Sequence, residues 1–193
     1  MQGFFVTGTD AGVGKTVVSA ALAMHMGHGY WKPIQAGPDS DTAEVQRLAG
    51  CRVFDCGVRL PDPVSPHLAA ERAGAKIQLS TILAQAPTDG SWIVEGAGGV
   101  LVPLNDREKM IDLMTLLSLP VVVVARSALG TINHTLLTLG ALRSRGLHVD
   151  RVVVVGAPHS ENSAAIRKFG NITVSAMPWF DPLTPEALKA WTP

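Results

Sequence analysis

The segment Val6-Thr7-Gly8-Thr9-Asp10-Ala11-Gly12-Val13-Gly14-Lys15-Thr16 constrains this chain more than any other. An apolar run enters a glycine-rich turn and leaves it into residues with helical spacing. Small residues let backbone N–H groups converge on a phosphate, and the start of a helix adds positive potential. Lys15 neutralises the outer phosphates, and the Thr16 hydroxyl is placed to meet Mg²⁺. Thr9 stands where the usual pattern has glycine, so the match is imperfect. The bland alternative is a plain strand-to-helix turn. The position directly after the first strand favours a nucleoside triphosphate over a dinucleotide.

Around this loop, two kinds of apolar segment alternate. β-Branched or aromatic runs at 4–7, 92–94, 121–124, 152–155 and 172–174 read as buried strands, and Tyr30-Trp31-Lys32 offers a short second one. Helical spacing occupies 16–26, 41–49, 111–117, 132–143 and 163–169, with shorter candidates at 66–73 and 77–84. Such alternation implies parallel strands with helices on both faces, because each crossover must return along the sheet. The expected fold is α/β, P-loop NTPase-like, with a mainly parallel sheet and one domain over residues 1–193. Residues 61–66 (Pro-Asp-Pro-Val-Ser-Pro) read as a surface connection.

Composition narrows the function class. Sixteen basic residues balance sixteen acidic ones, which predicts no general pull toward nucleic acid or anionic membrane. Apolar residues make up 47% and charged residues 17%, enough to fill a core. No apolar run approaches the ~20 residues that span a bilayer. Phe4-Phe5-Val6 lacks the basic flank of a secretion signal, so a cytoplasmic location is expected. Cys51 and Cys56 have no Cys/His partners at zinc spacing and read as free thiols.

A magnesium site needs oxygen ligands. Glu95 follows the 92–94 strand and precedes Gly96-Ala97-Gly98-Gly99, which puts a carboxylate at the edge where such sheets bind ligands. Asp41, after Ser40, reads equally as a helix N-cap or a first-turn acid. Lys32 falls on the same edge; it is either a solvated charge or a second cation for phosphate.

Together these pieces resemble the dethiobiotin synthetase family. The similarity is carried by the phosphate loop, Lys32-Pro33-Ile34-Gln35, Ser40-Asp41, Pro63-Val64-Ser65-Pro66-His67 and Glu95-Gly96-Ala97-Gly98-Gly99. It continues through Pro103-Leu104-Asn105-Asp106, Leu129-Gly130-Thr131-Ile132-Asn133-His134 and Pro178-Trp179. The resemblance implies that 7,8-diaminononanoate, CO₂ and MgATP give dethiobiotin, ADP and phosphate through a carbamate, its phosphorylation and closure of a cyclic urea. It implies Lys32 and Lys15 as catalytic residues and Thr16, Asp41 and Glu95 as the magnesium-associated set. Nucleotide contacts then fall on Gly12, Val13, Gly14, Lys15, Thr16, Val17, Asp41, Glu95, Gly96, Ala97, Gly98, Pro178 and Trp179. Substrate contacts fall on Thr9, Lys32, Ala36, Leu129, Gly130, Thr131 and Asn133, the last four reaching across a homodimer interface to hold the substrate carboxylate.

The pattern departs from other members in places. Ala11 and Ala36 stand where some carry Thr and Ser, and Gly12 where others carry Glu; a lost hydroxyl contact costs about 0.5–1.5 kcal/mol of binding. Val155-Gly156-Ala157-Pro158 lacks the Asn often found near the base. Trp179 taken alone reads as core, Thr131 and Asn133 as helix-end caps, and His67 as a packing or capping residue without a proton-transfer role. The competing functions are a partitioning-type ATPase switch, an amidoligase and a catalytically impaired relative. The switch requires an early loop lysine where this chain has Asp10, the amidoligase an ammonia source and a nucleophilic Cys motif.

Overall fold

The computed structural model describes residues 1–54 and 57–192. Cys56 therefore lies outside the described residues; Cys51 is a free, half-buried thiol whose pKa burial pushes up.

The strands are β1 (Gln2–Gly8), β2 (Gly29–Trp31), β3 (Ile34–Ala36), β4 (Val53–Phe54), β5 (Val58–Leu60), β6 (Ser91–Gly99), β7 (Val121–Arg126), β8 (Val149–Val155) and β9 (Thr173–Met177). The helices are α1 (Lys15–Met26), α2 (Asp41–Ala49), α3 (Pro66–Arg72), α4 (Leu79–Ala84), α5 (Met110–Leu117), α6 (Thr131–Ser144), α7 (Ser160–Gly170) and α8 (Pro185–Ala190). Seven strands form one sheet in the order β4-β2-β6-β1-β7-β8-β9, with every neighbouring pair parallel. β3 and β5 form a separate parallel pair.

The valine runs explain why the sheet is covered twice. Val121, Val123 and Ala125 point into one core, with α5, α6 and α7; Val122 and Val124 point into the other, with α1, α2 and α8. Val152 and Val154 against Val153 and Val155 repeat the split on β8. A period-2 strand with apolar residues at every position needs cover on both faces.

Two expectations are corrected here. β6 does not stop at 94: it continues to Gly99, bulged against β1 between Val6 and Gly8, so Glu95 sits inside a central strand. Its glycines have little strand propensity; the extension is carried by β1, whose Gly8 pairs with Gly99, while pairing with β2 ends at Val94. Residues 63–66 are also not a mere surface connection, because they wall the main cavity.

Because the sheet is parallel, the carboxyl ends of its strands share one edge. There β1 delivers the glycine loop, β2 delivers Lys32, and Glu95, in register with Val6, projects to the α1 face. α2 brings its first turn to the same place. Ser40 caps it, accepting from Ala43 N at 3.2 Å, so Asp41 is the first helical residue and not the cap.

Candidate functional site

A cavity of about 940 Å³ opens at this edge, and its lining includes Lys15, Thr16, Lys32, Asp41 and Glu95. Gly14 is the N-cap of α1 at φ 96°, a left-handed conformation that costs a residue with Cβ far more than glycine. A Cβ on Gly8 would lie 2.6 Å from the Asp10 carbonyl and 3.1 Å from Lys15 Nζ, so the turn closes only around glycine. Lys15 Nζ donates to that carbonyl at 3.0 Å. Burial holds the Lys15 pKa below its ordinary value; the Glu95 carboxylate opposes that shift, and Lys32 adds to it.

Lys32 is the hub. Its Nζ lies 2.6 Å from Asp41 Oδ2 and 2.8 Å from Glu95 Oε1, and donates to the Gly96 carbonyl at 3.1 Å. Burial pulls its pKa down, but the Glu95 and Asp41 carboxylates more than offset this and the net shift is upward. The Thr16 hydroxyl is 3.1 Å from Asp41 Oδ1 and 3.2 Å from Glu95 Oε1; one proton serves one of them at a time. On the far side of Glu95, Tyr30 Oη donates to Oε2 at 3.0 Å. Burial, then the Glu95 charge, raises the tyrosine pKa well above its usual value, so the hydroxyl stays a donor.

Thr16, Asp41 and Glu95 therefore converge as hard oxygen donors around a point now neutralised by an ammonium. This donor set suits Mg²⁺, which takes one or two carboxylates and fills its remaining positions with water and phosphate oxygens. Among the described residues no three His, Cys, Asp or Glu side chains cluster to hold a metal ion.

Other expected residues fall as follows. Gly12, Gly14, Val17, Ala36, Ala97 and Gly98 line the cavity, as do Pro178 and Trp179. Trp179 is 73% exposed, so its alternative reading as core does not hold; it stands at the cavity rim beside Phe180 and Leu183. Val13 is buried in the core, and Gly96 enters only through its carbonyl. Thr9 and Asp10 line a second hollow of about 530 Å³ with His134 and Leu137. Leu129, Gly130, Thr131 and Asn133 line neither cavity. Gly130 itself caps α6 in a left-handed conformation and no side chain bonds that end, so the capping expectation for Thr131 and Asn133 is corrected; the buried Thr131 hydroxyl has no hydrogen-bond partner. His67 is exposed on α3. Missed were Tyr30, whose contact depends on sheet register, and Gln35, whose Oε1 accepts from Asp41 N at 3.4 Å.

A family model described as an AAA domain matches residues 2–187. A protein of Paramagnetospirillum magneticum named ATP-dependent dethiobiotin synthetase BioD is 52% identical over 91% of this chain and 87% of its own length. One of the same name from Agrobacterium fabrum is 44% identical over 96% of this chain and 90% of its own. The chain belongs to the dethiobiotin synthetase family. Its fold reaches further than the family. A ParA-family ATPase of Chlorobium tepidum matches with TM-score 0.61 at 12% identity, covering 97% of this chain and 88% of the other. The septum site-determining protein MinD of Pyrococcus horikoshii matches with TM-score 0.61 at 15% identity, covering 98% and 86%. The dethiobiotin synthetase relatives, not these structural matches, carry the family assignment. No helix among the described residues is long and apolar enough to cross a membrane.

Proposed function

We propose that this chain, as one domain of residues 1–193, catalyses the ATP-dependent carboxylation and ring closure of 7,8-diaminononanoate to dethiobiotin, releasing ADP and phosphate. The observation that carries the reading is the Lys32 ammonium 2.6–2.8 Å from Asp41 and Glu95, in the cavity lined by the glycine loop and Lys15. One amine captures CO₂ as a carbamate and gives up a proton. A carbamate oxygen attacks the γ-phosphorus of ATP, and the bond to ADP breaks. The second amine then attacks the mixed anhydride carbon, expelling phosphate and closing the urea.

The difficulty is electrostatic, because a carbamate carrying a second carboxylate must meet an anionic γ-phosphate. Preorganised cations in a dry site lower that barrier most. Lys15 sits at the loop helix to hold the outer phosphates, with N–H groups of Gly12 to Val17 around them. Lys32, already desolvated, stands where the carbamate and γ-phosphate meet; a ligand arriving there loosens its ties to Asp41 and Glu95. Thr16, Asp41 and Glu95 would hold Mg²⁺, which supplies further neutralisation of phosphate charge. Trp179 and Pro178 offer a flat apolar wall for the base, while Ala97 and Gly98 line the cavity closely and Gly96 contributes its carbonyl.

The substrate carboxylate is assigned to the start of α6 in a second copy of the chain: Leu129, Gly130, Thr131 and Asn133, with Thr9 and Ala36 closer to the reacting end. A helix N-terminus favours a carboxylate. Leu129 is fully exposed and Leu137 is 65% exposed, apolar surface that a homodimer would cover. The reading involves neither nucleic acid nor membrane and places the enzyme in the cytoplasm.

The test is ATP turnover with 7,8-diaminononanoate and bicarbonate against a diamine-free control. Dethiobiotin formed in step with ADP supports the reading. ADP released equally without diamine favours the switch, and no turnover with any diamine favours the impaired relative.

A further inference from the structure

Glu95 uses its two oxygens differently. Oε1 faces the cavity with Lys32 and Thr16, whereas Oε2 is tied behind it to Tyr30 Oη at 3.0 Å. Tyr30 is the chain's one tyrosine, is fully buried and does not line the cavity. It precedes Lys32 by two residues, so strand alternation puts both side chains on the Glu95 face of the sheet. Its ring packs in the core that holds Val45 and Leu48 of α2 and Ile93 of β6. A carboxylate with one oxygen free turns broadly about its last torsion. With Oε2 held, that freedom is removed before a ligand arrives.

We propose that Tyr30 is a positioning residue, which by fixing Oε2 of Glu95 aims Oε1 at the metal–nucleotide complex and so sets the affinity for the divalent cation. It acts through Glu95 and touches neither nucleotide nor substrate. The proposal rests on the assignment of Thr16, Asp41 and Glu95 to the cation. Partners behind metal ligands commonly change metal affinity or activity by about 10–100-fold when removed. A merely structural tyrosine would instead lower stability and leave the cation dependence alone.

The experiment compares wild type and Tyr30→Phe, which keeps the ring and removes the donor. Mn²⁺ binding to the ADP complex is followed by electron paramagnetic resonance, and ADP affinity is measured separately in EDTA. The proposal expects Mn²⁺ held about 10–100-fold more weakly by the variant, with metal-free ADP affinity unchanged. A folded variant that binds Mn²⁺ within twofold of wild type overturns it alone. A wild-type protein that adds nothing to the affinity of free ADP for Mn²⁺ overturns the cation assignment, and the proposal with it. Should Tyr30→Phe fail to fold, 3-fluorotyrosine decides, since a single tyrosine gives a single ¹⁹F resonance. That resonance should shift when Mg²⁺ joins the ADP complex and stay put when ADP binds in EDTA; a resonance unmoved by Mg²⁺ overturns the proposal.

Discussion

Replacing Lys32 with methionine keeps the buried stem and removes the charge. Glu95, whose side chain is 1% exposed, then loses an ammonium at 2.8 Å, while Asp41, at 26%, regains part of its solvation from water. Breaking one side of a buried pair costs about 3–5 kcal/mol, because the remaining charge is stranded. The Asp41 half adds little, since partly exposed pairs contribute about 0–1 kcal/mol. Tyr30 and Thr16 still bond Glu95, which argues for the lower end, near ~3 kcal/mol. For a chain of this length that is roughly 6–12 °C in Tm. The assay is urea and thermal unfolding in EDTA. The folded pKa of Lys32 is raised, so its stabilisation is fully present below the unfolded value of about 10.4 and is lost as pH climbs through the folded one. The gap between wild type and Lys32→Met should therefore hold steady at neutral pH and close only in strong alkali. Mg²⁺ with ADP should recover part of the loss. A variant as stable as wild type in EDTA at pH 7 would mean that the Lys32 ammonium does not stabilise the buried Glu95 carboxylate.

Lys15→Met should behave in the opposite sense: burial depresses the Lys15 pKa, so the charged form burdens the fold, and the variant should unfold no earlier than wild type while losing about 1.5–3 kcal/mol of MgATP binding by calorimetry. In the wild type the same lysine makes stability rise with pH between its folded value and about 10.4. Trp179→Ala should leave Tm nearly unchanged because the ring is exposed, yet weaken nucleotide binding by about 1–3 kcal/mol if a base stacks there. Asn133→Asp should raise KM for the diamine without altering ADP affinity. Mixing Asn133→Asp with Lys32→Met should restore about a quarter of the sites if each cavity is completed by a partner chain, and none if it is not.

The phosphate loop, the long valine strands and the longer helices were legible because each repeats a period several times, and the shorter α3 and α4 were read too, at 66–73 and 77–84. β3, β4 and β5 are two or three residues long, too short to show one. α8, capped by Thr184, was not anticipated, because its six residues show no amphipathic stripe. The extension of β6 through glycines is set by its pairing with β1, not its composition. At the site, Lys15, Thr16 and Glu95 were nameable from local context, whereas Lys32 and Asp41 stayed open there and entered only through the family resemblance. Tyr30 was not nameable: it meets Glu95 across 65 positions only because of how β2 pairs with β6. Trp179 alone reads as core because tryptophan so often is; only the family resemblance put it beside the nucleotide, and it does edge the cavity.

In the proposed reaction the cavity brings a carbamate oxygen to the γ-phosphorus of ATP. Rapid mixing of the enzyme, ATP and diamine with ¹⁸O-labelled bicarbonate, followed by mass analysis of the released phosphate, tests it directly. One labelled oxygen in each phosphate, matched to dethiobiotin formed, is the predicted result. Unlabelled phosphate accompanying dethiobiotin would contradict the account, because the carbamate would then never have carried the phosphoryl group.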